Sequence, residues 1–260
     1  MSGSIYAHFH PDEHPFIDRL LERLQRISDT YSSFWTDFLD PRQQLIAQNL
    51  VNREAGLQVR FDGGHEQAER KRAWIAPVEW HAEEEFAPVV LLHLFSLDER
   101  LSGLKHGDYL GALLGLGIKR EKVGDLYIFD DGCHLLLTPE MADFVELHLR
   151  QVGRARLQVE RLPLQQLRYH ETSFQEFYIT VASLRLDGVL SDVCKMSRAK
   201  AAAPIKAGRC RVNWRVEESP STLLREGDTV SLQGWGRFRL LEVQGVTKKG
   251  NVRVKIGKFA

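Results

Sequence analysis

The strongest constraint on the fold is the order of short apolar segments between residues 86 and 162. Runs with strand patterning alternate there with runs that have helical spacing. The segments are, in chain order, a strand at 89–95, a helix at 106–116, a hairpin pair at 125–129 and 134–137, a helix at 138–152 and a strand at 154–160. This is the order of the split βαβ unit of ferredoxin-like folds. We therefore predict an α+β domain in the middle of the chain.

Residues 1–85 predict a separate N-terminal domain that also mixes helices and strands. Residues 14–27 have the apolar stripe of an amphipathic helix. Asp40, Pro41 and Gln43 match an N-cap, a first helical proline and the third residue of a capping box. The remaining predicted elements are the helix from Pro41 to residue 54 and strands at 57–61 and 73–76.

The charges divide the chain into two unlike parts, although the net charge is zero. Residues 181–260 hold 16 Lys and Arg against 7 Asp and Glu, a net charge of +9, whereas residues 1–180 hold 19 against 28, a net charge of −9. This asymmetry favours a basic module that binds a polyanion, with nucleic acid as the leading class. Solvated surfaces of different charge are the alternative.

The basic module predicts two short helices and a small sheet after a linker at 163–180. Ser197 is a suitable N-cap for the second helix, and Gly208 can end it. Pro204 inside that helix favours a kink or a later start, because an interior proline removes a hydrogen bond. The predicted elements are helices at 185–193 and 197–208 and strands at 210–214, 229–233 and 252–256.

The cations of this module are expected to form one RNA-contacting surface. Arg198 and Lys206 lie on one flank of the second helix, and Arg209 and Arg211 continue from its end. The following Asn213-Trp214 pair offers an amide and a stacking surface. Cations position phosphates, while amides and rings contact bases or sugars. The alternative is a solvated helix with Trp214 in the core.

Several stretches resemble known sequences. SLRLDGVLSDVCKMSRAKAAAPIKAGRCRVNW and the later EGDTVSLQGWGRF resemble an S4 domain, a small RNA-binding module. TDFLDPRQQLIAQNL, FDGGHEQAERKRAWIAP, HGDYLGALLGLGIKREKVGDL and GVTKKGNVRV are similar to the YlmH-like family of bacterial proteins that carry this module. Where family members tend to carry Arg, this chain has Gly107, which removes one possible phosphate contact.

The resemblance implies an α+β chain with an N-terminal α/β segment (1–85), an RRM-like middle domain with the ferredoxin-like βαββαβ order (86–162) and a C-terminal S4 domain (181–260). It implies a non-enzymatic protein that binds ribosomal RNA or tRNA on the large ribosomal subunit, in quality control or rescue of stalled peptidyl-tRNA. The RNA-binding residues expected on the S4 surface are Arg185, Lys195, Ser197, Arg198, Lys200, Lys206, Arg209, Arg211, Asn213, Trp214, Arg237, Lys248 and Lys249.

Two further basic clusters are candidates for secondary RNA binding. One comprises Arg70, Lys71 and Arg72, which could equally be a solvated turn neutralised by nearby glutamates. The other comprises Lys119, Arg120 and Lys122, whose positive charges could instead complement a helix end. The middle domain lacks an aromatic-rich strand of the RNA-recognition type, so base stacking on its sheet is not expected.

No pattern predicts catalysis, a metal site or a cofactor. His106-Gly107-Asp108 faintly resembles a catalytic motif, but Asp108 is better explained as a helix N-terminal residue. His8, His10 and His14 near the N-terminus have no Cys or well-spaced carboxylate to complete the four ligands of a metal site. An RNA-modifying enzyme that uses the S4 module to deliver substrate remains the alternative function.

The remaining features predict a cytoplasmic monomer without a small-molecule substrate. The three cysteines form no CxxC motif and fit a reducing compartment. The N-terminus lacks the basic-then-apolar pattern of a signal peptide. No apolar run approaches the roughly 20 residues of a membrane span.

Overall fold

The computed structural model describes residues 6–81, 86–96, 103–246 and 250–259. The chain folds into two compact units. Phe16–Glu171 forms the first unit, and the residues before Phe16 and after Glu171 form the second. As predicted, helices and antiparallel sheets are mixed in one chain, so the fold class is α+β.

The N-terminal part of the first unit packs two helices with a three-stranded sheet. The capping box predicted at Asp40 is confirmed: its carboxylate accepts the Gln43 N–H at 2.9 Å, and the Gln43 side chain accepts the Asp40 N–H at 3.0 Å. Strand β1 was not predicted. The elements are α1 His14–Thr30, β1 Phe34–Leu39, α2 Pro41–Val51, β2 Leu57–Asp62 and β3 Lys71–Pro77, with the antiparallel strand order β1-β3-β2.

The middle of the chain has the predicted strand and helix order. Its antiparallel four-stranded sheet has the order β5-β6-β4-β9. The second predicted helix ends at His148 rather than at 152, because a short hairpin of β7 and β8 follows it. The elements are β4 Val90–Phe95, α3 His106–Gly115, β5 Val123–Phe129, β6 Gly132–Leu137, α4 Pro139–His148, β7 Gln151–Val152, β8 Ala155–Arg156 and β9 Gln158–Leu162.

The second unit is a six-stranded antiparallel sheet with two helices on one face. Phe238, Leu240, Val254 and Ile256 are buried against Leu190 and the rest of the helix core. The elements are β10 Phe174–Val181, α5 Leu186–Val193, α6 Arg198–Lys206, β11 Cys210–Val212, β12 Arg215–Val216, β13 Thr229–Leu232, β14 Gly236–Val246 and β15 Val252–Phe259, with the strand order β10-β15-β14-β13-β11-β12.

One prediction about this unit was wrong, and a second was wrong in part. The linker proposed for residues 163–180 holds the edge strand β10, which pairs along its whole length with β15. Its outward positions alternate Phe174 and Tyr178 with Glu176 and Thr180, and Pro163 with the polar residues of the segment gave it the composition of a linker. Helix α6 begins at Arg198 directly after its cap, with Pro204 inside it, so the later start, one of the two effects predicted for Pro204, does not occur.

Candidate nucleic-acid interface

Asp187 joins two of the predicted arginines where α5 and α6 pack together. Its carboxylate accepts hydrogen bonds from Arg185 Nη2 at 3.0 Å and from Arg198 Nη2 at 2.7 Å. The Asp187 side chain is 11% exposed, whereas the side chains of Arg185 and Arg198 are 38% and 56% exposed. The hydrogen bond from Arg185, followed by that from Arg198, lowers the pKa of Asp187. One buried carboxylate thus holds two guanidinium groups side by side at the surface.

The turn between α5 and α6 presents two lysines around a shallow concavity. Lys195 has a left-handed backbone with φ 51°, and Ser191 Oγ fixes the turn by donating to Met196 O at 2.6 Å. Ser197 is confirmed as the N-cap, because its Oγ accepts the Lys200 N–H at 3.3 Å. The concavity is lined by Ser191, Asp192, Lys195, Met196, Ser197 and Lys200. The positive end of α6 therefore lies beside two lysine side chains, an arrangement that complements an anion.

The C-terminal cap of α6 fixes the backbone between Lys206, the last residue of the helix, and Arg209. Gly208 has φ 66° and donates to Ile205 O at 3.0 Å, and the Arg209 N–H donates to Pro204 O at 2.9 Å. These two bonds form a Schellman cap. Lys206 and Arg209 are both exposed on either side of this cap.

Asn213 and Trp214 form the two-residue turn between β11 and β12, and both have left-handed backbones, with φ 50° and 65°. The Asn213 amide donates to Asp228 Oδ1 at 2.8 Å and accepts the Thr229 N–H at 2.9 Å. The amide that was predicted to contact RNA is therefore used to hold the turn on β13. Trp214 is partly exposed and lies outside the buried core, with the Arg237 guanidinium carbon 5.9 Å from its ring centroid.

The predicted cations do not form one surface. Cys210 and Val212 contact the helix core, so Arg211 between them points to the opposite face of the sheet. Arg237 precedes the buried Phe238 and points the same way as Arg211. The residues beside the helices are Arg185, Lys195, Ser197, Arg198, Lys200, Lys206 and Arg209, and we call this set the helix side. Lys248 and Lys249 lie outside the described residues.

The first secondary cluster is largely buried. Arg70 is 9% exposed and Arg72 is 6% exposed. Arg70 Nε donates to Val123 O at 3.0 Å, and Arg72 Nε donates to Thr36 O at 2.6 Å. Lys71 between them donates to a backbone carbonyl at 2.9 Å. Both guanidinium groups satisfy carbonyls inside the first unit, so they are not available to RNA phosphates, and the expectation for them was wrong.

The second cluster is mostly engaged within the protein as well. Lys122 Nζ lies 2.7 Å from Asp37 Oδ1 and 2.8 Å from Glu140 Oε1. Burial lowers the pKa of Arg120 to about 10, and its guanidinium donates to backbone carbonyls. Lys119 is exposed. Of the three, Lys119 alone has the exposure that a phosphate contact needs.

The sheet of the middle domain has a second face, opposite its helices, that is rich in rings. Alternation along β4, β5 and β6 places His93, Phe129 and His134 on this face, together with Leu136. RNA-recognition motifs stack bases on the corresponding surface.

Residues 164–170, which we call the strap, cover this face. The Arg168 N–H donates to His134 Nδ1 at 3.0 Å, and its guanidinium carbon lies 4.1 Å from the Phe129 ring centroid. The Arg168 side chain also forms two hydrogen bonds with Asp131, both 2.7 Å long. Tyr169 stacks on His65 with ring centroids 4.4 Å apart. Bases therefore have no access to this sheet face while the strap is in place.

A polar chain joins the N-terminal part to the middle sheet. His65 Nε2 lies 2.6 Å from Tyr127 OH, which donates to Asp125 Oδ2 at 3.2 Å. Asp125 also accepts the backbone N–H of Glu69 at 2.7 Å and that of Arg70 at 3.2 Å. Burial raises the pKa of Asp125 and Tyr127 and lowers that of His65. Because the carboxylate is used by backbone donors, we interpret this chain as a structural joint.

The cysteines have the environment of packing residues. Burial raises the pKa of Cys194 to about 11 and of Cys210 to about 12, whereas a nucleophilic cysteine needs a lowered pKa.

Asp108 accepts the Lys105 N–H at 2.7 Å at the start of α3, as its helix N-terminal role predicted. Within the described part of the chain, we find no helix with the length and apolarity to span a bilayer.

Comparisons with known proteins cover different parts of the chain. Residues 12–80 match the family model for the YlmH N-terminal domain, and residues 82–166 match the model for a putative RNA-binding domain in YlmH. The ribosome-associated protein quality control protein P2 of Bacillus subtilis is 38% identical over 252 residues, 97% of each chain. The structure of the cell division protein YlmH from Streptococcus pneumoniae aligns with a TM-score of 0.52 at 24% identity, over 62% of this chain and 98% of that chain.

Proposed function

Because the chain belongs to the YlmH family, we propose that it is a non-enzymatic, ribosome-associated RNA-binding protein. Its C-terminal unit acts as an S4 domain that docks on ribosomal RNA or tRNA of the large ribosomal subunit. The process it serves is quality control or rescue of stalled subunits that hold peptidyl-tRNA. The name of the Bacillus subtilis relative supports ribosome association, and the description of the model that matches residues 82–166 supports RNA binding.

The helix side is the surface that we propose for docking. The pairing of Arg185 and Arg198 through the buried Asp187 carries the proposal. This carboxylate lies behind the two guanidinium groups, so it orients them while leaving them 38% and 56% exposed. Arginine donors held in place lose little entropy when they bind phosphate. Lys195 and Lys200 extend the cationic surface past the start of α6.

The domain roles follow from the same surface. We propose that RNA docking resides in the unit that begins at β10, rather than at residue 181 as composition suggested, because β10 is part of its sheet. The middle domain, whose sheet is covered by the strap, contributes a docking surface that does not rely on base stacking. The N-terminal domain is held to it by buried Arg70 and the Asp125 joint.

The test is binding of the full chain to purified large ribosomal subunits across a salt series. The Lys200→Ala/Lys206→Ala double variant removes two exposed cations from the helix side. If both contact phosphates, the log–log salt slope should fall by roughly 1 to 2 units and affinity should drop. The matched control, Arg154→Ala/Arg156→Ala, removes two exposed cations from the β7–β8 hairpin and should change neither quantity.

The proposal is overturned if the folded lysine variant binds subunits with the affinity and slope of the unchanged protein. An equal loss in the β7–β8 control would also overturn it, because the effect would then come from overall charge. Far-ultraviolet circular dichroism of each variant establishes that it is folded.

A further inference from the structure

Helices α5 and α6 pack on one face of the sheet of the second unit, and we call the opposite face the open face. Because Phe238 and Ile256 point into the helix core, the residues between the core positions of β14 and β15 point to the other side. The open face carries Arg211, Arg237, Arg239, Arg253, Lys255, Phe174, Tyr178 and Phe259. Its basic residues outnumber its carboxylates, which are Glu176 and Glu242.

Arginines and aromatic rings are layered on this face. The Arg237 guanidinium carbon lies 3.9 Å from the Phe259 ring centroid, and that of Arg239 lies 5.7 Å from both Phe259 and Phe174. The Phe174 and Phe259 rings meet edge to face at 5.0 Å. At the other end of the same face, Arg253 lies 4.6 Å from Tyr178.

Gly257 makes this arrangement possible. A Cβ added there would lie 2.8 Å from the Phe174 ring and 2.9 Å from Leu241 Cδ1. The absence of a side chain at this central position lets the Phe174 ring lie on the sheet. The result is a set of planar groups, rather than flexible side chains, on the surface.

Trp214 adds a ring at one edge of the open face, where the two-residue turn between β11 and β12 gives it a left-handed backbone. Its φ of 65° is left-handed, which costs a bulky residue free energy that glycine would not lose. It also lies outside the buried core. The partly exposed indole, with the Arg237 guanidinium carbon 5.9 Å from its ring centroid, offers a stacking surface at this edge of the sheet.

We propose that the open face binds unpaired nucleotides of an RNA. Bases stack on Trp214 and on the outer plane of the Arg237 guanidinium, which the Phe259 ring supports from beneath, while the N–H groups of Arg211, Arg237 and Arg239 donate to the phosphates. Single strands expose the faces of their bases, whereas a duplex shields them, so planar groups on a sheet suit single strands. An acidic protein would match the charges, but it would not need the layered rings.

This surface goes beyond the proposed function, because it is separate from the helix side. Either proposal can fail alone. Loss of subunit binding in the Lys200→Ala/Lys206→Ala variant tests the helix side, and binding of short unstructured RNA tests the open face.

The experiment measures fluorescence anisotropy of a labelled ten-nucleotide oligouridylate with the full chain. Phe259→Leu keeps an apolar side chain but removes the ring, and Arg237→Lys keeps the charge but removes the guanidinium plane. Each should weaken binding about tenfold, the order measured for loss of one stacked base. The salt slope should change little, because the charge is unchanged. Arg154→Lys, the matched control on the β7–β8 hairpin, should bind as the unchanged protein does.

A second measurement uses the unchanged protein and therefore needs no folded variant. Crosslinking with oligonucleotides that carry 4-thiouridine should label peptides that contain Trp214 or Phe259. Crosslinks confined to the helix side overturn the proposal. Unchanged affinity in both folded variants would also overturn it. Competition by polyphosphate or polyglutamate that is as strong as competition by unlabelled oligouridylate would overturn it as well, because the surface would then recognise any polyanion.

Discussion

Acidification should release the strap, because His134 must be neutral to hold it. His134 is 2% exposed, and its Nδ1 accepts the Arg168 N–H at 3.0 Å. Burial, with the nearby positive charge of His93 and Arg168, lowers the pKa of His134 to about 4. Protonation would place a second donor opposite the Arg168 N–H and a positive charge beside its guanidinium.

The direction and size of the effect follow from proton linkage. The ordinary histidine pKa near 6.5 applies when the contact is open, and the value of about 4 applies when it is closed. The closed form therefore binds fewer protons, so its stability is complete above pH 6.5 and decreases as the pH falls towards 4. At pH 5 the loss is about 2 kcal/mol, or about 30-fold in the closing equilibrium. His93 faces the same space, and burial also lowers its pKa; Asp131 opposes both shifts.

Hydrogen exchange of the Arg168 amide in the full chain measures this loss. After correction for intrinsic exchange rates, its protection should be about 20-fold lower at pH 5 than at pH 7, because the open form is already slightly protonated at pH 7. The His134→Asn variant supplies a carbonyl acceptor near the position of Nδ1 that does not titrate, so its protection should be independent of pH. Equal protection of the unchanged protein at both pH values, or the same decrease in His134→Asn, would refute the reasoning.

Two pairs of substitutions test packing and backbone geometry. Gly124→Ala would place a Cβ 2.8 Å from the Phe38 ring, so it should lower the free energy of unfolding by about 1–3 kcal/mol in thermal unfolding. At Gly111 on α3 an added Cβ meets open space, so Gly111→Ala should raise the free energy of unfolding by about 1 kcal/mol. Asn213→Ala removes two hydrogen bonds and places alanine in a left-handed backbone, so it should cost about 2–3 kcal/mol in urea unfolding. Asn213→Gly also loses the two hydrogen bonds, but glycine adopts a left-handed backbone readily, so this variant should cost about 1–2 kcal/mol. Equal losses in the two variants would show that the left-handed backbone contributes nothing to the loss of stability in Asn213→Ala.

Predictions that rest on signals within a few residues were the accurate ones. The caps at Asp40 and Ser197 use a side chain and a backbone N–H three residues apart, so the sequence contains the whole interaction. The strand and helix order of the middle domain likewise follows from local periodicity.

Predictions that depended on distant partners failed. Arg70 and Arg72 look like a surface cluster, but their acceptors are carbonyls 53 and 36 residues away on other strands. The partner of the Asn213 amide, Asp228, lies 15 residues further along the chain. The open face was also missed, although the alternation of Arg237 and Arg239 with buried residues was a signal that could have revealed it.

The strap has a consequence for experiments on isolated domains. The matched RNA-binding model ends at residue 166, whereas Arg168 and Tyr169 complete the cover of the middle sheet. A fragment cut at that boundary would expose the Phe129 and His134 rings to solvent. Nucleotide binding or aggregation by such a fragment would then be a property of the cut end, and a fragment that continues through Glu171 is the one that preserves the native surface.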